Sequence, residues 1–239
     1  LGDKLSALQG ALPMILDGFK ITVLLTIGGA ALAIVLAIVL GLMARSKKLA
    51  IRGFARVVIE FFRGTSLVVQ LFFLFFVLPQ VGVELPAVLV GIAGLGLNYG
   101  AYGAEVVRGS INSVPQGQWE ATKALSLGRW GRMFRIIFPQ AWALMIPSLT
   151  NLLIQLLKGT AIVSFITLTD LTYATDKLRH STGTIFAYTV SLLLYFVFAY
   201  VLTLIMNALE VRAKHRLGQG ESLRQALSFR RPRQPEVAS

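Results

Sequence analysis

VPQGQWEATKALSLGRWGRMFRIIFPQAWALMIP, residues 114–147, is a basic, glycine-interrupted amphipathic segment set between two apolar stretches. Pro115 stands where a helix can begin, with Asn112 or Ser113 nearby as capping side chains. The run GQWEATKAL then reads as a short helix on which Ala121, Ala124 and Leu125 form a small apolar face at helical spacing. Gly128 interrupts it and permits a sharp bend. The second helical run, RWGRMFRIIF, carries Arg129, Arg132 and Arg135 at three-residue intervals, and Pro139 closes it. Two readings stand side by side. Small residues let the backbone of another protein come close, whereas a helix lying on a membrane would place its arginines on headgroups.

Working outward, the rest of the chain reads as membrane-embedded. Apolar residues make up 55% of its 239 residues and charged residues only 14%, and the mean hydropathy is +0.70. Lipid is therefore its main solvent. Without cysteine, neither a disulfide framework nor a thiolate metal site is possible, and His180 and His215 stand far apart with no ligand spacing. The formal charge of +12 would suggest nucleic acid in a soluble protein, but here topology explains it. The chain begins with Leu1 rather than Met, so further residues are expected before it, and no cleavable signal peptide is expected within residues 1–17.

Five stretches are long and apolar enough to cross a bilayer as helices: Phe19–Ala44, Ser66–Val83 (its start extendable to Val57), Leu85–Val107, Trp142–Leu157 and Thr184–Leu209. Pro147 predicts a kink or break in the fourth. Lys and Arg divide eighteen to five between alternate connections, which places the N-terminus outside and the C-terminus in the cytoplasm. The expected fold is an all-α polytopic membrane protein with a transmembrane domain over residues 1–217. A basic cytoplasmic tail covers 218–239, in which ESLRQAL can form a short surface helix drawn to anionic lipid or remain solvated.

Polar side chains within spans are costly and become candidates for a pathway. Asn98, Tyr102 and Glu105 share one face of the third span, beside Gly91, Gly94, Gly96, Gly100 and Gly103. The glycines read as close helix packing; Asn98 and Tyr102 fit either packing or a pathway. Glu60 and Arg63 can pair with each other or meet the ammonium and carboxylate of a zwitterion. Gln70, one turn beyond Ser66, can donate and accept. Lys158, Thr160 and Ser164 surround an expected glycine break at Gly159 that could offer backbone groups to a ligand. Glu105 and Arg108 read as structural.

Glu120-Ala121-Thr122, Gly128, and Ile136-Ile137-Phe138-Pro139 together resemble the EAA loop of ABC importer permeases. Phe62-Arg63-Gly64-Thr65-Ser66-Leu67, Gly100-Ala101-Tyr102-Gly103-Ala104-Glu105, the Gly117-Gln118 pair and Leu156-Leu157-Lys158-Gly159-Thr160 resemble segments of the polar amino-acid uptake branch, in register over roughly residues 12–212. The resemblance implies a type I importer fold with a cytoplasmic coupling helix between spans three and four. There Gln118, Glu120, Ala121, Thr122, Ala124, Leu125 and Gly128 would seat in a groove of a cytoplasmic ATPase. It further implies a bacterial plasma-membrane location, a second identical or homologous permease, an ATPase dimer carrying ATP and Mg, and an extracellular or periplasmic binding protein. Three positions depart from the pattern: Thr122 for alanine, Ser66 for proline, and Gly159 where the family often has aspartate. The last weakens a cationic substrate and keeps a zwitterionic solute of the ectoine type beside a polar amino acid.

No G-x-x-x-x-G-K-[ST] run stands in this sequence to hold phosphates, so the chain is not expected to hydrolyse ATP itself. An ion-coupled carrier or channel is the other class of transporter, but there is no inverted repeat and no series of intramembrane carboxylates. An intramembrane enzyme would need a facing nucleophile and base, and neither histidine lies within a proposed span.

Overall fold

The computed structural model describes residues 2–216, and the tail from 218 onward, including ESLRQAL, lies outside them. Eight helices follow in order: α1 (Gly2–Met43), α2 (Leu49–Gly64), α3 (Leu67–Val81), α4 (Ala87–Asn112), α5 (Gln116–Ala124), α6 (Arg129–Ile166), α7 (Leu171–Thr182) and α8 (Thr184–Arg216). Four of these, α1, α4, α6 and α8, are long and apolar enough to cross a membrane; α2 and α3 reach that length and apolarity only as a pair, bent by 102°, which would be the fifth.

The boundaries differ from the hydropathy reading for physical reasons. α1 starts at Gly2 rather than Phe19 because its first turns have a partner: Ile15 and the neighbouring Leu8 and Ala11 pack on Leu171, Ala174 and Leu178 of α7. The second span is the bent pair, not Ser66–Val83 alone. Apolar residues lie on both sides of Arg63-Gly64-Thr65-Ser66, and the helix stops at Gly64 and restarts after Ser66, with Thr65 and Ser66 in extended backbone. α6 is one helix where a short fourth span was expected. It begins at Arg129, widens into a π-helical stretch over Arg132–Ile137, and runs through both Pro139 and Pro147 without stopping. Pro139 falls at the start of the regular turns after the π segment, where its missing N–H is least missed. Gly159 lies within the helix, and the true break comes at Thr167, whose φ of 68° is left-handed.

The centre of the molecule is the α1–α4 pair. A methyl group built on Gly96 would stand 2.5 Å from Leu32, one on Gly103 would stand 2.7 Å from Ala37, and one on Gly91 would stand 2.8 Å from Leu25. Glycine is what lets these backbones approach, which supports the packing reading of that face. α6 closes on α4 with Leu156 against Leu95 and Leu25, and α3 adds Leu71. α8 turns an apolar face outward, with Leu192, Phe196, Tyr200 and Leu204 all exposed.

Candidate functional site

Two places gather the residues singled out by sequence. The first is the α5 hairpin. Pro115 occupies the cap position with no capping side chain, and the Ser113 hydroxyl instead donates back to the Gly109 carbonyl. One face of α5 is anchored: Trp119 packs with Ile111, Val114, Ile137 and Ala141. Thr122 is buried with its hydroxyl donating to the Trp119 carbonyl at 2.8 Å. The Arg45 guanidinium, from the α1–α2 turn, lies 5.4 Å above the Trp119 ring. Burial, and then the nearby Arg108, lowers the Arg45 pKa. Gln140 Nε2 donates to Gln118 Oε1 at 3.3 Å, and Arg132 donates to the Leu127 carbonyl at 3.1 Å.

The other face of α5 is bare. Glu120, Ala121, Ala124 and Gly128 are exposed. Leu125 is 72% exposed and Trp130, across the turn, 77%. The sharp turn is made at Ser126, with φ 54°, not at Gly128, whose φ of −59° suits many residues. A Cβ on Gly128 would meet nothing within 4 Å, so what that glycine supplies is an open surface rather than a backbone angle.

The second place is the elbow between α2 and α3, held near the middle of α4. Asn98 (6% exposed) donates through Nδ2 to the Phe62 carbonyl at 3.1 Å and to Gln70 Oε1 at 3.2 Å. Gln70 (7% exposed) donates through Nε2 to the same carbonyl at 2.9 Å and to Thr65 Oγ1 at 2.7 Å. Both amides satisfy backbone that the bend has freed. Tyr102 donates to the Arg63 carbonyl at 3.2 Å, and its ring lies 5.4 Å from the Arg63 guanidinium. Arg63 also pairs with Glu60 at 3.1 Å, yet its Nε is buried with no hydrogen-bond partner. Glu60, Arg63, Gln70, Asn98 and Tyr102 therefore form one polar constellation.

Lys158, Thr160 and Ser164 do not join that hydrogen-bonded network. Lys158 is exposed, Thr160 is fully buried with its hydroxyl on the Leu157 carbonyl, and Ser164 bonds the Ala161 carbonyl. Gly159 does reach the elbow: a Cβ there would stand 2.8 Å from the Tyr99 hydroxyl and 3.3 Å from Leu67. That hydroxyl donates to the Gln155 carbonyl at 2.8 Å, so α6 is tied to α4 beside Gly159.

One buried group went unread. Asp170 caps α7, accepting from the Tyr173 N–H at 3.0 Å and from the Tyr195 hydroxyl at 3.3 Å. It is fully buried, resting where Gly18 of α1 leaves no Cβ in its way. Burial pushes its carboxyl above the usual range, partly offset by these bonds. The signal was present as an Asp directly before an apolar helical start.

This arrangement of spans, elbow and hairpin has known relatives. The model of the binding-protein-dependent transport system inner membrane component matches residues 33–215. The chain belongs to that family. This inner membrane component is 42% identical over 200 residues to the probable amino-acid ABC transporter permease protein y4tF of Sinorhizobium fredii, covering 81% of this chain and 84% of the relative. It is 32% identical over 206 residues to the L-cystine transport system permease protein TcyB of Bacillus subtilis, covering 85% and 88%. Among solved structures, an amino acid ABC transporter crystallised with histidines superposes with a TM-score of 0.79 at 33% identity, over 88% of this chain and 98% of the other. The inward-facing MetNI methionine transporter shares the fold, with a TM-score of 0.72 at 15% identity, over 84% of this chain and 97% of the other. The inner membrane component is thus a multi-pass ABC permease subunit with a type I importer fold.

Proposed function

We propose that two such permeases, identical or homologous, form the membrane pathway of an importer for polar amino acids. A cytoplasmic ATPase dimer holding ATP and Mg drives it, and an external binding protein supplies the substrate. The observation that carries this reading is the two-sided α5. Trp119 and Thr122 fix one face to the body, and the opposite face presents Ala121, Ala124 and Leu125 bare at the junction of α4 and α6. A lever needs that combination of firm seating and a free contact surface. Closure of an ATPase pair against it would be passed directly into the two helices that flank the elbow. In this reading α5 lies in the cytoplasm and the N-terminus outside.

The elbow is where substrate would pass. A broken crossing near the middle of α4 leaves irregular backbone that is tolerated only where it is buried in protein or lines a cavity. Arg63 offers a cation for a substrate carboxylate, and Glu60 an anion for its ammonium. At Gly159 the chain offers no carboxylate, and the Tyr99 hydroxyl fills the space. That favours a substrate with no extra positive charge, which keeps a zwitterionic solute such as ectoine as the second reading. The test is ATP-dependent uptake by proteoliposomes containing the permease, its ATPase and its binding protein, across neutral, acidic and basic amino acids and ectoine. Uptake driven by an ion gradient without ATP would overturn the reading.

A further inference from the structure

α1, α4, α6 and α8 line a groove of about 850 Å³. Its walls are aliphatic and aromatic, with Ala30 and Ile34 from α1 and Leu153 from α6. Among the described residues, Arg212 is the one charged side chain on it, and no carboxylate lines it. Such a volume would hold roughly thirty waters, and Tyr99, Trp142 and Arg212 offer far too few side-chain polar groups to hold them. On α6 the lining runs from Phe138 to Leu156, a rise of roughly 27 Å, nearly the ~30 Å of a bilayer's hydrocarbon. The medium filling the groove is therefore lipid.

Arg212 and Phe138 share one end of the groove, and an aromatic ladder leads to that end. Trp130 stacks on Phe134 at 5.5 Å, Phe134 lies 6.1 Å from Phe138, and Phe138 lies 6.2 Å from Trp142. Trp130 is bare at the surface, while Phe138 and Trp142 form the groove wall. Tryptophan, which stands at both ends of this ladder, is enriched at headgroup depth. The mouth offers a guanidinium for a phosphate and no carboxylate for a choline or ethanolamine cation. The geometry points to a bound phospholipid with an anionic headgroup, one acyl chain lying in the groove and its phosphate on Arg212. It comes from the leaflet on the α5 side, which the orientation proposed above makes the cytoplasmic one; the site itself does not depend on that orientation. The lipid wedges α8 against α1 and α6 where protein contacts leave a gap.

The experiment is native mass spectrometry of the complete transporter released from phosphatidylcholine nanodiscs doped with phosphatidylglycerol. One phosphatidylglycerol per permease chain is expected to stay bound. Arg212→Ala should cut the preference for it about fivefold, the weight of one interfacial cation. Ile34→Trp, or Leu153→Trp should the first fail to assemble, should lose bound lipid of either headgroup. A wild-type chain that retains no phospholipid, or an assembled filling variant that retains as much as wild type, overturns the proposal. The chain has no cysteine, so an Ile34→Cys variant reports on the groove alone. Efficient crosslinking of that position to the second permease would show that protein, not lipid, covers it, and would equally overturn the proposal.

Discussion

Replacing Asn98 with alanine separates a latch from a simple lining residue. The Asn98 amide makes two inter-element hydrogen bonds, at 3.1 Å to the Phe62 carbonyl and 3.2 Å to Gln70 Oε1. Interhelical hydrogen bonds within membrane proteins average about 0.6 kcal/mol each and reach about 1.7. Two of them give an expected loss of roughly 1.2 kcal/mol for Asn98→Ala. Gln70→Ala should cost at least as much, since it also removes the donors to Phe62 and Thr65. The two residues share one bond, so the double variant should lose about 0.6 kcal/mol less than the sum of the singles. Reversible unfolding of the purified permease in mixed detergent micelles measures all four corners of that cycle. Additive losses, or a single-variant effect below about 0.3 kcal/mol, would refute the latch and leave Asn98 only a pathway role.

Other outcomes follow from the same contacts. Ala124→Glu, on the bare face of α5, should abolish substrate-stimulated ATP hydrolysis while the permease still inserts and folds, measured by ATPase assay beside a thermal-stability scan. Gly159→Asp must place a Cβ 2.8 Å from the Tyr99 hydroxyl and bury a carboxyl. It should destabilise by at least about 1–3 kcal/mol, the ordinary range for overpacking, and Tyr99→Phe should recover part of the loss in the same unfolding assay. The raised pKa of Asp170 means that the folded state binds the proton more tightly than the unfolded chain does. Its contribution is therefore full below the ordinary carboxyl range and is lost as pH rises through the folded value. Asp170→Asn keeps an acceptor for the Tyr173 N–H and should flatten the stability–pH curve in that window.

Much of this fold can be read from residue types, because lipid makes hydropathy a strong signal. The glycine face of α4 was legible at Gly96 and Gly103, where spacing and size together point to a close partner. The elbow was not, because the many apolar residues from Phe61 to Val77 dominate a window average over Arg63, Gly64, Thr65 and Ser66, and an average carries no direction. Its geometry depends on Asn98 and Gln70 holding the Phe62 carbonyl, and on Gln70 holding Thr65, which is tertiary information. Pro147 does not break its helix: it faces outward, and the helix runs on past it with packed turns on either side. In the hairpin, Gly128 drew attention as the flexible residue, while the left-handed angle fell on Ser126. Serine pays a modest steric cost there, which residue preference alone does not reveal. The split between the anchored and bare faces of α5 was half visible: the alanines were read as a contact face, but the seating of Trp119 under Arg45 required the fold.

The close approach of α1 and α4 has a mechanical consequence. Leu25, Leu32 and Ala37 sit directly against glycine backbone, so sliding by a turn would drive side chains into main chain at several points together. These two helices are therefore one rigid unit. In the transport cycle proposed above they would move together, and any change of angle would fall at the α2–α3 elbow and along α8.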